Sequence, residues 1–298
     1  MTDTFTLAHL SDPHLPPLPA ARLRDLAGKR ALGYLNWTRN RHKYHRREVL
    51  DALVADMQAQ RPDHIAVTGD LVNLALEAEF TPARAWLESV GTPREVTVVP
   101  GNHDAYVRAT RHHFAGAFEQ YLSGDAEADG ALFPFVRRRG PLALIGLSTA
   151  APAAPFLATG RLGREQIARL PEALDRSNRE GLFRVVLIHH PPISKPARYL
   201  KRLLDGAEFR AALARHGAEL VIHGHDHAHS LIELEGPQRR IPVVGAPSAS
   251  EARGKHSAGY NLYRVEGRNG QWRCEAIWRS LARDSGAIVE TKRTIRSD

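Results

Sequence analysis

The sequence predicts an α/β fold resting on a mostly parallel sheet, and three observations carry that expectation. Short strand-like, largely apolar runs recur at 5–10, 64–68, 96–99, 142–147, 185–188, 220–222 and 241–244, the lengths of buried strands. Between the first two, Val49, Leu50, Leu53, Val54 and Met57 repeat with the 3.6-residue period of an amphipathic helix. Strand, helix and strand therefore alternate through the first hundred residues, the order of βαβ units.

Taken in order, 5–10 is the first strand and 47–60 the first strong helix. Residues 16–47 interrupt that first connection, which runs about 2–6 residues in most α/β units. The interruption carries nine Lys or Arg and one acid, Asp25, among Leu23, Leu26, Leu32, Tyr34, Leu35 and Trp37. Basic residues interleaved with apolar ones fit a helical lid over an anionic or lipid-bearing ligand. Weaker helical patterns lie at 82–90 and 162–174. After 220 the strands crowd together with short turns, predicting a second, more antiparallel sheet packed near the first. The polar stretch 283–298 is expected to be a loosely held tail. No repeat divides the chain, so 1–298 reads as one domain.

Composition narrows the function classes. The chain has 298 residues, 43% hydrophobic and 25% charged, as in soluble globular proteins. No run approaches the roughly 18 apolar residues of a membrane span. The N-terminus lacks a signal-peptide pattern, so a cytoplasmic protein is expected. A single cysteine, Cys274, leaves no internal disulfide and no cysteine-rich zinc site. A net charge of +8 favours anionic partners.

The chemistry lies at the strand ends. After 5–10 come Asp12 and His14; after 64–68, Gly69-Asp70; after 96–99, Asn102-His103-Asp104; after 185–188, His189-His190; after 220–222, His225-Asp226-His227. Ligands of open α/β sheets bind at such ends. Each piece alone is a common turn or cap. Five in succession form a site, because one sheet edge brings them together. Carboxylate, imidazole and amide donors without thiolate suit divalent Mn, Fe, Zn or Co. Asp12, His14, Asp70, Asn102, His189, His225 and His227 are too many donors for one tetrahedral ion, and fit two ions about 3.5–4 Å apart. A carboxylate can bridge such a pair, and Asp70 on the central strand is the natural candidate. Two carboxylates against two divalent ions leave the site electropositive and able to hold phosphate.

In this order, D-x-H, GD, GNHD, H before a Pro-rich turn and GHxH, the chain resembles the calcineurin-like metallophosphoesterase superfamily. The blocks span 12–227, about three quarters of the chain. The resemblance implies a two-sheet αββα sandwich. It also implies that Asp12, His14 and His227 hold one ion, Asn102, His189 and His225 the other, and that Asp70 bridges them. His103 is then the acid facing the leaving oxygen, with Asp104 steadying it. The reaction implied is attack of a metal-bridging hydroxide on phosphorus.

Substrate class is expected to lie in 16–47, which follows Asp12-x-His14 and should overhang the metals. Its character points to a bulky phosphodiester or pyrophosphate with an apolar part. The substrate is expected to be a phosphorylated small molecule or a lipid-linked one, with peripheral contact of 16–47 on the inner membrane face. A phosphodiesterase is the leading expectation. A UDP-diacylglucosamine pyrophosphatase of lipid A synthesis is the alternative, and the commonest of those enzymes carry Arg where this chain has His103. A nuclease or a non-catalytic nucleic-acid-binding protein ranks lower, because the aromatics sit among leucines rather than along a basic groove.

Overall fold

The computed structural model describes residues 4–108, 113–125, 132–253, 256–268 and 270–297. Among them, twelve strands form two six-stranded sheets. The first sheet is built on β1 (Phe5–Leu10), β2 (His64–Val67) and β3 (Val96–Val98), which run parallel. Every residue of β2 and β3 is buried, as expected for parallel strands covered on both faces. The helices that cover them include α2 (Arg47–Ala59) and α3 (Glu77–Val90), between which α1 (Lys29–Arg39) does not fall; it lies earlier, inside the 16–47 insertion. Leu50, Leu53 and Met57 of α2 and Phe80, Trp86 and Leu87 of α3 enter the core. Then α4 (His113–Leu122) packs against β3.

The second sheet takes β4 (Phe135–Arg139), β5 (Leu142–Gly146), β6 (Phe183–Leu187), β7 (Leu220–His223), β8 (Ser230–Leu234) and β9 (Ile241–Gly245) in the order β4-β5-β6-β7-β9-β8. Strand alternation divides its side chains between two cores. Leu142, Leu144, Val185, Leu187, Leu220 and Ile222 pack in the main core with the first sheet. Ile145, Val186, Ile188 and Val221 pack instead with Leu170 and Leu174 of α5 (Arg164–Arg179) and Phe209 and Leu213 of α6 (Gly206–His216). The result is helix, sheet, sheet, helix.

Two sequence expectations need correction. The second sheet does not begin after Leu220, and its middle is parallel, from β5 through β6 and β7 to β9. The antiparallel strands that close the chain, β10 (Gly259–Arg268), β11 (Gln271–Leu281) and β12 (Ile288–Ser297), extend the first sheet from the free edge of β1. Local pattern identifies a strand but not the edge it pairs with. Nor is 283–298 a loose tail: β12 pairs with β11 from Ile288 to Ser297. Its Lys, Arg, Glu and Thr content is that of a solvent-exposed edge strand.

Candidate metal centre

The parallel strands β1, β2, β3, β6 and β7 each end beside the same cavity, where β1 and β6 come from different sheets. Backbone bonds stitch the ends together: His14 donates to the Asp70 carbonyl (3.0 Å) and Gly224 to that of His189 (3.1 Å). Close approach dictates two glycines. Gly69 has φ +88°, and a Cβ there would strike the backbone of Gly101. A Cβ on Gly224 would strike Ser11 and the Asp12 carboxylate. Eight non-glycine residues among those described have positive φ, and five are Asp12, His14, Asp70, His225 and His227. Left-handed backbone costs energy for such residues, and its concentration here marks a site whose side chains are aimed at a common point.

All seven expected donors converge. Nε2 of His227 lies 3.1 Å from Oδ1 of Asp12 and 3.3 Å from Nε2 of His14. Nε2 of His189 lies 3.3 Å from Oδ1 of Asn102 and 3.3 Å from Nδ1 of His225. The two groups meet at Asp70, whose Oδ2 is 3.7 Å from Nε2 of His14 and 3.3 Å from Nε2 of His189.

The outward ring nitrogens explain which inner ones are free. Nδ1 of His189 donates to the Thr68 carbonyl (2.6 Å), Nε2 of His225 to the Lys201 carbonyl (2.9 Å), and Nδ1 of His227 faces Glu251 (3.2 Å). Each inner nitrogen then presents a lone pair toward carboxylate, amide oxygen or another lone pair. That arrangement repels itself unless positive charge sits between. Oδ1 of Asp12 is buried with no hydrogen-bond donor. Burial alone would lower the His189 and His227 imidazoles, yet Asp70 and Asp12 push them up to about 10 and about 9. The cluster draws in protons when nothing else supplies the charge. These donors fit two metal ions.

His190 follows the alternation of neighbouring residues and turns away, with Nδ1 on the Thr149 hydroxyl (2.7 Å) and its ring on His225. His229 stacks on Trp278, outside the cluster. His103 stands at the rim of the cavity, its ring 4.8 Å from that of His14. Its Nδ1 donates to the Asn73 carbonyl (2.5 Å), and its Nε2 accepts from Arg41 (3.1 Å). Burial lowers this imidazole to about 4; Asp70 opposes the shift and Arg41 adds to it.

The expectation that Asp104 steadies His103 is corrected by its contacts. Its carboxylate accepts from the backbone N–H groups of Asp70 (2.8 Å), Gly101 (2.8 Å) and Val72 (3.1 Å). It fixes the loops that carry Asp70 and Asn102, and the Asn73 carbonyl orients His103 instead. A buried Asp beside a Gly turn finds backbone donors first.

The cavity over the donors measures about 320 Å³ and is bordered by Arg41, Tyr44, His45, Lys201 and Glu251 besides the cluster. An adjoining lobe of about 360 Å³ shares Arg41, His103 and Lys201, and adds Leu32, Trp37, Tyr106, Phe156 and Leu157. Thus 16–47 walls both. Lys29 anchors α1 by donating to the Ala153 and Leu157 carbonyls. Gly33 lies against Leu74 and Tyr106 with no room for a side chain. A larger cavity, about 550 Å³ around Phe183, Trp272 and Trp278, contains none of these residues. Sequence reasoning missed Glu251, His45 and Lys201 as neighbours of the cluster. No motif distinguishes them, although His45 lies within the insertion already singled out.

The calcineurin-like phosphoesterase profile matches residues 5–229. The chain belongs to that family. This phosphoesterase is 25% identical over 280 residues to a probable cyclic nucleotide phosphodiesterase of Synechococcus, covering 92% of each chain. Its fold is similar to that of a dimetal phosphatase from Danio rerio, with a TM-score of 0.62, 13% identity and 98% of each chain covered. It is also similar to purple acid phosphatase PPD1 of yellow lupin, with a TM-score of 0.63 and 10% identity, over 100% of this chain and 54% of the other. Family and donor clusters together support a dinuclear metal site in a phosphoester hydrolase.

Proposed function

We propose that this phosphoesterase is a phosphodiesterase using two ions, of Mn, Fe or Zn, held by Asp12, His14 and His227 on one side and Asn102, His189 and His225 on the other. Asp70 serves both. The observation that carries the reading is the Asp70 carboxylate lying between two donor groups, beside His103, whose ring nitrogens are engaged by Asn73 and Arg41. When bound, the ions supply Lewis-acid charge for the phosphoryl oxygens and activate water for attack on phosphorus. His103 faces the same cavity with Nδ1 held by Asn73; once its Nε2 no longer accepts from Arg41 and takes up a proton from solvent, that proton would pass to the departing oxygen. The apolar lobe receives the departing group, which argues for a diester with one bulky half. The name of the Synechococcus relative supports a diester. Among the described residues no helix is long and apolar enough to cross a membrane.

The test is a substrate panel with Mn²⁺: a model diester, the matching monoester, cyclic nucleotides, UDP-diacylglucosamine and single-stranded DNA. The reading expects the diester and a cyclic nucleotide to be turned over fastest. Preference for the monoester, or for UDP-diacylglucosamine over every diester, would displace it.

A further inference from the structure

We propose that Arg41 is the residue by which the 16–47 insertion grips a phosphoryl oxygen of the substrate. The inference rests on the reading of the cluster as a phosphoesterase centre, and adds a residue that none of the family's motif blocks contains. Nine basic residues lie in the insertion, and their surroundings separate them. Lys29 and Arg30 are tied to backbone carbonyls. Arg46 and Arg47 lie on Glu48 and Asp51. Arg22, Arg24, Arg39 and Lys43 are exposed. Arg41 borders both the metal cavity and the adjoining lobe.

Its partners are the decisive point. The half-buried guanidinium donates to Nε2 of His103 (3.1 Å) and lies 3.4 Å from Nε2 of His45. Among the described residues no carboxylate lies within ion-pair distance of it, and Asp70, Asp12 and Glu251 act on it only from farther off. A guanidinium withdrawn from water ordinarily has an anion beside it. Two imidazoles are weak substitutes, and both belong to the cavity wall. Arginine's planar fork matches two oxygens of a phosphoryl group. The side chain is held in place for that purpose: Trp37 stacks on His45 at 4° between planes, and His45 is fixed by Ser250 (2.8 Å). An arriving phosphoryl oxygen replaces Nε2 of His103 as the acceptor from Arg41. That exchange leaves His103 facing the substrate.

Inorganic phosphate is the probe, titrated calorimetrically into the metal-loaded full chain, with the metal content of each variant measured alongside. Arg41→Ala is expected to keep its ions and to bind phosphate roughly tenfold to a hundredfold more weakly. Arg41→Lys should recover part of the loss, and Arg39→Ala should bind as the wild type does. Unchanged affinity in Arg41→Ala overturns the proposal, as does absence of phosphate binding by the wild type. Loss of the ions from both Arg41→Ala and Arg41→Gln overturns it too, because the side chain would then support the cluster rather than the ligand. A chain that binds phosphate through Arg41 yet hydrolyses no diester keeps this inference and removes the phosphodiesterase reading. A diesterase indifferent to Arg41 does the reverse.

Discussion

The carboxylate of Glu251 lies 3.2 Å from Nδ1 of His227, on the side of the ring opposite the Nε2 that faces Asp12. The pair forms the carboxylate–histidine arrangement that fixes a ligand's tautomer and raises its basicity. Glu251→Ala is therefore expected to weaken metal binding about 10- to 100-fold without unfolding the chain. Competition with a chelating dye measures the first, and far-UV circular dichroism the second. Full metal affinity in the variant would remove Glu251 from the site.

Asp70 touches both donor groups, whereas Asn102 touches only one. Protein prepared without chelator should carry close to two ions per chain. Asn102→Ala should retain one and Asp70→Ala neither, as read by elemental analysis. Equal ion content in the two variants would mean that Asp70 is not shared.

His103 lies close enough to His14 and Asp70 to join a donor group, but its Nδ1 is held by Asn73 and its Nε2 by Arg41. His103→Ala should keep the metals and lose about 10²- to 10⁴-fold in turnover. Diesters with poor leaving groups should suffer most, since they need the proton most. A loss independent of leaving-group acidity would refute the acid role.

Asp104 satisfies three buried backbone donors and does not touch the His103 ring. Each orphaned donor costs about 1–3 kcal/mol. Asp104→Ala should accordingly lower the melting temperature sharply, and where it folds it should leave the pH profile of turnover unshifted. A shifted profile at unchanged melting temperature would restore the orienting role expected from the sequence.

Much of the site was legible before any coordinates, because its chemistry is carried by residues adjacent to strands in the chain. His, Asp and Asn at five strand ends pointed to Asp12, His14, Asp70, Asn102, His103, His189, His225 and His227, and the structure draws all of them into one cluster. Asp104 was legible as a neighbour but not as a contact. Its role depends on which group reaches the His103 ring, and that is set by the loop 70–73, thirty residues earlier.

The order of amino acids by itself determined seven of the twelve described strands, the helix at 47–59, the candidate donors and the anomalous insertion, because periodicity and turn chemistry are local. Tertiary structure alone decided which sheet edge β10, β11 and β12 extend, since an edge strand of either sheet has the same pattern. It alone divided the insertion's nine basic residues into eight serving the fold or the surface and one, Arg41, beside the cavity. It alone joined Glu251 to His227. Those pairings form between residues distant in the chain, and their energy comes from burial and from the field of the assembled carboxylates, neither of which exists until the two sheets have packed.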